Sequence, residues 1–473
     1  MSRSIRTKDE SREGFLQAFI RGDEGVKLSA FVWGTGAFRR GQKGKGLLLL
    51  LEEALILLGI SLTFPSVMKL PTLGTVQAQR IWDLITRRNV WNDYDNSFLI
   101  LLFGVVGVLL TGLFLLQCVR MVKAARRSEV MARSGHPLPS LRQDAARYLG
   151  RDFHRTLLTG PVMGVVLVLV IPLIVMILVA FTNYDRNHLV PTNLFTWVGL
   201  DNFRLLADLS AGSAFAHAFP RVLGWTLIWA VTASLSCYIG GILMAMLINL
   251  RRTIAKPFWR TCFMVAMAVP QFVSLLLVRN LFADVGIVNT LCKQWGVTDW
   301  LYSIGAIPTS NVIPFLTHPD WARPMILLIN LWVGVPYQML IATGILLNIP
   351  HELTEAARID GANGVKIFRH ITMPYLLHIT GPSLVSAMVA NVNNFNVIWL
   401  LSRDVYVTTD QQMATAGATE VDLLVTWLYR LTQDQSNYKM ASVIGLLVFA
   451  VCSALTLTAF GRLTNRGREE AFQ

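Results

Sequence analysis

Eight apolar runs, at residues 47–68, 97–119, 158–181, 222–249, 258–282, 323–347, 376–401 and 440–460, decide what this chain can fold into. Each has about the 20 residues that a helix needs to cross a hydrocarbon core of roughly 30 Å. Lipid offers no water to backbone amides, so a single run can satisfy its own only as a helix. The predicted fold class is therefore an all-α polytopic membrane protein with eight transmembrane helices. With 53% hydrophobic and 15% charged residues, the chain also has too little polar surface to coat a soluble globule of 473 residues. Glu52 and Glu53 interrupt the first run. They are expected near the cytoplasmic interface, on an amphipathic lead-in, with an acidic pair inside the membrane as the alternative.

A net charge of +13 would suggest nucleic acid in a soluble protein, but in a membrane protein the sign is read loop by loop. Of the 42 Lys and Arg residues, 28 fall in the segments 1–46, 120–157, 250–257, 348–375 and 461–473. That bias places both termini and the 348–375 loop in the cytoplasm and leaves no reason to invoke a nucleic-acid partner. Residues 1–46 lack a short apolar core followed by a small-residue cleavage site, so they are expected to be a retained cytoplasmic N-terminal arm. Residues 47–119 form a two-span N-terminal extension. Residues 120–157 form a basic cytoplasmic linker punctuated by Arg133-Ser134-Gly135-His136-Pro137, and residues 158–473 carry the remaining six spans. Cys118, Cys237, Cys262, Cys292 and Cys452 are odd in number and lack CxxC or Cys/His clustering, which predicts neither disulfide nor metal site. Trp197, Trp295, Trp300 and Trp321 lie near span ends, where indoles anchor at the membrane interface.

Two polar stripes stand out within the runs. Asn391, Asn393, Asn394 and Asn396 place four amides in one span, and an unpartnered buried amide costs roughly 1–3 kcal/mol. On a continuous helix Asn391 and Asn394 share a face. Asn330, Val333, Gly334 and Tyr337 stand at i, i+3, i+4 and i+7, also one face. Neutral amides, a glycine gap and a phenol suit the hydroxyls and C–H faces of a sugar. Interhelical hydrogen bonding and packing through Gly334 are the structural alternatives. Neither stripe holds a titratable residue other than the phenol, which argues against proton-coupled transport.

Enzyme chemistry finds little support. His351-Glu352-Leu353-Thr354-Glu355 begins like a zinc-protease helix, but the second His is replaced by Glu355. No GxxxxGK[ST] loop occurs, so any ATP must be bound by another subunit.

The loop between Pro350 and Pro374 pairs good helix formers over Leu353–Ile359 with Gly361 as a left-handed turn, predicting a helix, a turn and a second helix over about Val365–Ile371. Glu355, Ala356, Ala357, Gly361, Ile371 and Pro374 resemble the EAA signature of type I ABC importer membrane subunits, with Met373 in place of the usual Leu. The resemblance implies a coupling loop over 350–374 that docks an ATPase, and a six-helix type I ABC importer core with two extra N-terminal spans. It further implies a second permease subunit, a homodimeric ATP-binding subunit that holds ATP and Mg, an extracytoplasmic sugar-binding protein and a bacterial inner-membrane location.

A closer similarity spans about 150–473. Ala180-Phe181-Thr182-Asn183-Tyr184, Val222-Leu223-Gly224-Trp225-Thr226, Asn330-Leu331-Trp332-Val333-Gly334-Val335-Pro336-Tyr337, Asn391-Val392-Asn393-Asn394-Phe395 and Thr426-Trp427-Leu428-Tyr429-Arg430 resemble the larger permease subunits of maltose/maltodextrin importers. That family's sugar contacts fall at Asn330, Val333, Gly334, Tyr337, Asn391 and Asn394. Ala390 and Ala387 stand where the family has an aromatic and a serine, and the large domain that one version of the family carries between the third and fourth spans is missing. The implied function is a maltose/maltodextrin permease subunit without covalent chemistry or bound cofactor. Another neutral sugar or polyol is the near alternative, and an ion-coupled carrier the distant one.

Overall fold

The computed structural model describes residues 14–83, 87–191, 193–208, 212–250 and 252–470. Residues 1–13 of the expected arm and the last three residues of the chain lie outside these. The chain divides into two compact units, Met1–Gly199 and Leu200–Gln473.

In the first unit, short helices α1 (Phe15–Arg21), α2 (Glu24–Leu28) and α3 (Thr35–Arg39) precede the long helices α4 (Lys43–Lys69) and α5 (Ser97–Arg133). A two-stranded antiparallel hairpin, β1 (Arg80–Asp83) and β2 (Arg88–Trp91), lies between them. Helix α6 (Leu141–Leu149) follows, then α7 (Phe153–Val165) and α8 (Ile171–Val179) joined by a π-helical turn. Helix α5 thus runs on through Arg120–Arg133, so the first third of the expected linker is helical and its break falls at Ser134–Pro139. The acidic pair of the first run is partnered. The buried Glu53 accepts from the Trp33 amide at 2.7 Å, and Glu52 accepts from Gln117 Nε2 at 2.7 Å. Trp33 stacks on Phe114 with centroids 5.3 Å apart, which ties the N-terminal arm to α4 and α5.

At the other end of α4, Asp95 receives Lys69 Nζ at 2.6 Å and the amides of Thr75 and Val76 at 2.9 and 3.0 Å. Burial pushes the Asp95 carboxyl up, but these donors outweigh it and hold it below the usual carboxylate range. A lowered folded-state pKa contributes stability above the unfolded value, about 3.9, that is lost as pH falls through the folded value. Pepsin should therefore cut residues 70–95 faster as pH drops below about 4, and Asp95→Asn should flatten that rise.

The second unit contains α9 (Asp201–Ala207), α10 (Ala214–Asn249), α11 (Lys256–Ala268), α12 (Gln271–Leu281), α13 (Ile287–Gln294), α14 (Val297–Ser303) and α15 (Pro319–Leu347). It continues with α16 (His351–Ile359), α17 (Gly364–Ile367), α18 (Met373–Val392), α19 (Phe395–Ser402), α20 (Gln411–Thr415), α21 (Leu424–Gln433) and α22 (Tyr438–Glu470). Helices α10 and α15 cross closely because their facing positions are small. A Cβ on Gly240 would stand 2.9 Å from Val335 Cγ2, and one on Gly334 would stand 2.6 Å from Cys237 Sγ.

Among the described residues, seven helical stretches are long and apolar enough to cross a membrane: Lys43–Lys69, Ser97–Arg133, Phe153–Val179, Ala214–Asn249, Pro319–Leu347, Gly364–Ser402 and Tyr438–Ala459. The eighth predicted run, 258–282, is the pair α11 and α12. Its break follows from Pro270, which cannot donate a backbone hydrogen bond and drives Val269 to an extended ψ of 126°. Two other prolines are accommodated by helix widening. Pro172 and Pro374 each follow a π-helical turn, Val166–Val170 and Phe368–Thr372, that contains the carbonyl four residues back with which the ring would clash.

Candidate functional site

The 330–337 stripe divides in two when α15 is packed. Asn330 is buried, its Nδ2 3.5 Å from Cys237 Sγ, and Gly334 abuts the same cysteine of α10. Val333 and Tyr337 turn the other way and line a cavity of about 310 Å³ with Trp332 and Pro336. Members of each pair are four residues apart, or about 40° around a helix, and the pairs are offset by about 60°, so one broad face meets two neighbours. The opposite wall of the cavity is the Pro270 break, with Val269, Gln271 and Ser274. Non-helical backbone within a bilayer is tolerated where it borders a cavity. Gln271 and Ser274 are polar residues that the sequence reading passed over. The available signal was a Pro-Gln step inside an apolar run.

The asparagine stripe is not on one continuous helix. The chain breaks at Asn393 and Asn394, between α18 and α19, which corrects the unbroken helical spacing expected over 376–401. Four asparagines within six residues supply the reason, since Asn competes well for helix caps and poorly for helix interiors. Asn394 is the N-cap of α19, its Oδ1 accepting from the Val397 amide at 3.4 Å, while its Nδ2 donates to Asn391 Oδ1 at 2.9 Å. Asn391 Nδ2 then donates to Ser234 Oγ on α10 at 2.9 Å. Asn393 instead reaches Cys452 Sγ at 3.3 Å, and Asn396 is exposed.

The structure therefore brings Asn391 and Asn394 together, and ties both them and Asn330 to α10 through Ser234 and Cys237, one turn apart. Those two residues were also missed; their signal is the small-residue succession Ser234, Cys237, Gly240, Gly241. Among the described residues, no group of three or more His, Cys, Asp or Glu is placed to hold a metal ion.

Asn394 thus carries a cap and an amide bridge at once. Asn394→Leu should lose both, with the cap alone contributing about 0.5–2 kcal/mol, and should lower the yield of folded protein. Asn394→Ser keeps an oxygen for the cap and should recover most of that yield, as size-exclusion chromatography in detergent would show; equal loss in both variants would make the amide bridge the larger contribution.

The 350–374 loop folds as the sequence predicts through its first turn. Glu355, Ala356 and Ala357 lie on α16, which ends at Asp360, and Gly361 takes φ +80° with Ala362 N donating to Ala357 O at 2.9 Å. Asn363 caps α17 by accepting from the Lys366 amide at 2.9 Å. Ile371 sits in the π-helical turn and Pro374 in the first turn of α18, so the second predicted helix continues without a stop into the next span. No residue of α16 or α17 is buried, and Ile359 is 86% exposed.

Residues 238–468, which include all eight positions of the two stripes and this loop, match the family described as binding-protein-dependent transport system inner membrane component. The chain is 30% identical over 455 residues to the maltodextrin transport system permease protein of Bacillus subtilis (strain 168), covering 94% of this chain and 96% of that one. It is 32% identical over 379 residues to the galactooligosaccharides transport system permease protein of the same organism, covering 80% and 85%. In fold it is similar to a chain of a bacterial ABC transporter involved in the import of the acidic polysaccharide alginate, with a TM-score of 0.51, 20% identity, and coverage of 69% of this chain and 98% of that one.

Proposed function

The chain belongs to the binding-protein-dependent transport system inner membrane components, and we propose that its solute is a maltodextrin-type oligosaccharide. It is a multi-pass membrane subunit of an ABC importer rather than an enzyme, and works with ATPase and binding-protein partners. The observation that carries the proposed solute is the lining of the cavity beside Tyr337. Its polar groups are a phenol, an amide, a hydroxyl and an indole, with no charged side chain among its lining residues. Such a surface suits neutral hydroxyls and offers nothing to balance an ion. Asn330, Val333, Gly334, Tyr337, Asn391 and Asn394, with Gln271 and Ser274, are the proposed sugar-facing or sugar-positioning set.

In the proposed arrangement both termini and the 350–374 loop are cytoplasmic. Residues 158–473 are the permease core, residues 47–119 its two-span extension and 120–157 the linker between them. Glu355, Ala356, Ala357 and Gly361 present an exposed helix and turn to a homodimeric ATP-binding subunit that holds ATP and Mg. The loop joins the end of α15 to the start of α18, the helices that carry Asn330 and Asn391, so its displacement bears on both at once. A second permease subunit completes the path and an extracytoplasmic binding protein delivers the sugar.

The test is uptake into proteoliposomes containing the chain with its co-purified subunits and binding protein. Labelled maltotriose should enter only with internal ATP. Preference for a galacto-oligosaccharide would favour the second reading, which the similarity to the galactooligosaccharide permease supports. Uptake driven by an ion gradient without ATP would overturn both.

A further inference from the structure

A second cavity, of about 490 Å³, lies at the end of the second unit opposite the 350–374 loop. It is walled by Arg221, Gly224 and Trp225 near the start of α10, Arg323 near the start of α15, and Asp410 and Glu420 from the segment after α19. Its volume falls in the range typical of small-ligand sites, about 300–1,000 Å³. Two guanidiniums and two carboxylates balance in charge, but they differ in what they have left to offer.

The carboxylates are occupied. Glu420 accepts from Tyr406 Oη at 3.1 Å, Thr408 Oγ1 at 2.6 Å, Thr409 N and Oγ1 at 2.9 and 2.8 Å, and Asp410 N at 3.1 Å. Asp410 caps α20 by accepting from the Gln412 and Met413 amides at 2.9 and 3.2 Å, and meets His217 Nε2 at 2.8 Å. The His217 hydrogen bond holds the Asp410 carboxyl below its usual range; burial pushes Glu420 up, but its donors prevail and hold it low as well. Both stay ionised and filled.

The guanidiniums are only partly used. Arg323 uses Nε and Nη2 on the Glu420 carbonyl at 2.9 and 2.6 Å and lies over the Trp225 ring at 4.8 Å, and among the described residues its Nη1 takes no hydrogen-bond partner. Arg221 places Nη1 against His217 and 3.8 Å from Asp410 Oδ2, leaving its Nε and Nη2 without a partner among the described residues, and its side chain is 49% exposed. Spare capacity in the cavity is thus donor N–H within a charge-balanced wall. That combination favours a neutral ligand rich in acceptor oxygens, because an ion would unbalance the wall. The cavity also shares helices with the site already described. Arg323 is seven residues from Asn330, roughly 10 Å along α15, and Trp225 is nine residues from Ser234, roughly 13 Å along α10.

We propose that this cavity is a second sugar subsite, which holds one neutral pyranose unit at the outer end of the path whose inner level is set by Asn330, Ser234 and Tyr337. The assignment rests on the importer reading given above. Gly224 makes it testable, since a Cβ there would meet no atom within 4 Å and a side chain would enter open space.

The experiment places Gly224→Cys in the assembled permease complex and follows maleimide labelling of that position by peptide mass spectrometry, which separates it from the native cysteines. Millimolar maltotriose alone should slow labelling at least 5-fold. Protection by a galacto-oligosaccharide instead would keep the subsite and change its sugar. No protection by any oligosaccharide, or protection only by sugar-free binding protein, would overturn the proposal. A second variant, Gly224→Leu, should raise the KM for uptake several-fold; an unchanged KM would also count against the subsite. Failure of the parent complex to take up any oligosaccharide with ATP would defeat the importer reading, whereas uptake without protection would defeat only the subsite.

Discussion

Gly361→Val should leave the complex assembled and the cavity beside Tyr337 intact, yet reduce ATP-driven uptake by tenfold or more. The residue sits at φ +80°, where an L side chain costs roughly 1–2 kcal/mol and a β-branched one is a genuine outlier. Space is not the obstacle, because a Cβ at Gly361 would meet nothing within 4 Å. The penalty is purely one of backbone conformation, so the variant relieves it by unwinding the turn between α16 and α17. The angle at which Glu355, Ala356 and Ala357 are presented then changes. Gly361→Asn is the control, since Asn tolerates the left-handed region and should retain most uptake. Measuring uptake and ATP hydrolysis on the same proteoliposomes separates coupling from assembly; normal uptake by the valine variant would remove the turn from the coupling role proposed for it.

The second large effect is expected at Gly241→Leu, which should abolish recovery of folded protein. A Cβ at this position would run into Gln338 Cβ and stand 2.8 Å from both the Gln338 carbonyl carbon and the Met339 nitrogen. Two of these atoms are backbone of α15 and cannot swing aside, so the two helices must part. Overpacking in a core typically costs about 1–3 kcal/mol, and a clash with backbone belongs at or above the top of that range. Gly334→Ala offers a graded contrast, because its clash is with the Cys237 sulfur at 2.6 Å and only 3.3 Å from the cysteine Cβ. Combining it with Cys237→Ala should restore much of the thermal stability that Gly334→Ala loses. Detergent-solubilised melting curves of the single and double variants would show the rescue, and additive losses would show that Gly334 matters for something other than this crossing.

Much of the 350–374 loop was legible in the sequence. Helix formers, Gly361 as a left-handed stop and Pro374 at the start of the next span each act through local backbone preference, and local preference survives folding. Seven of the predicted spans were legible for a similar reason, since crossing a bilayer imposes one length and one composition. Less legible was the candidate site. A helical repeat told which residues share a face, but Asn330 and Gly334 went to Cys237 while Val333 and Tyr337 went to the Pro270 break. Periodicity specifies a direction and leaves the neighbour in that direction undetermined.

The sequence by itself determined a helical membrane protein, the positions of its polar interruptions and the shape of the loop that follows α15. These rest on short-range physics: apolar runs against water, proline and glycine against the backbone, asparagine at caps. Only the tertiary structure decided that α10 stands between the two asparagine sets, with Ser234 bonded to Asn391 and Cys237 against Asn330, and that Gln271 and Ser274 face Tyr337. Which helix lies beside which depends on the fit of small residues across a crossing, a property of two distant segments together that neither one states alone.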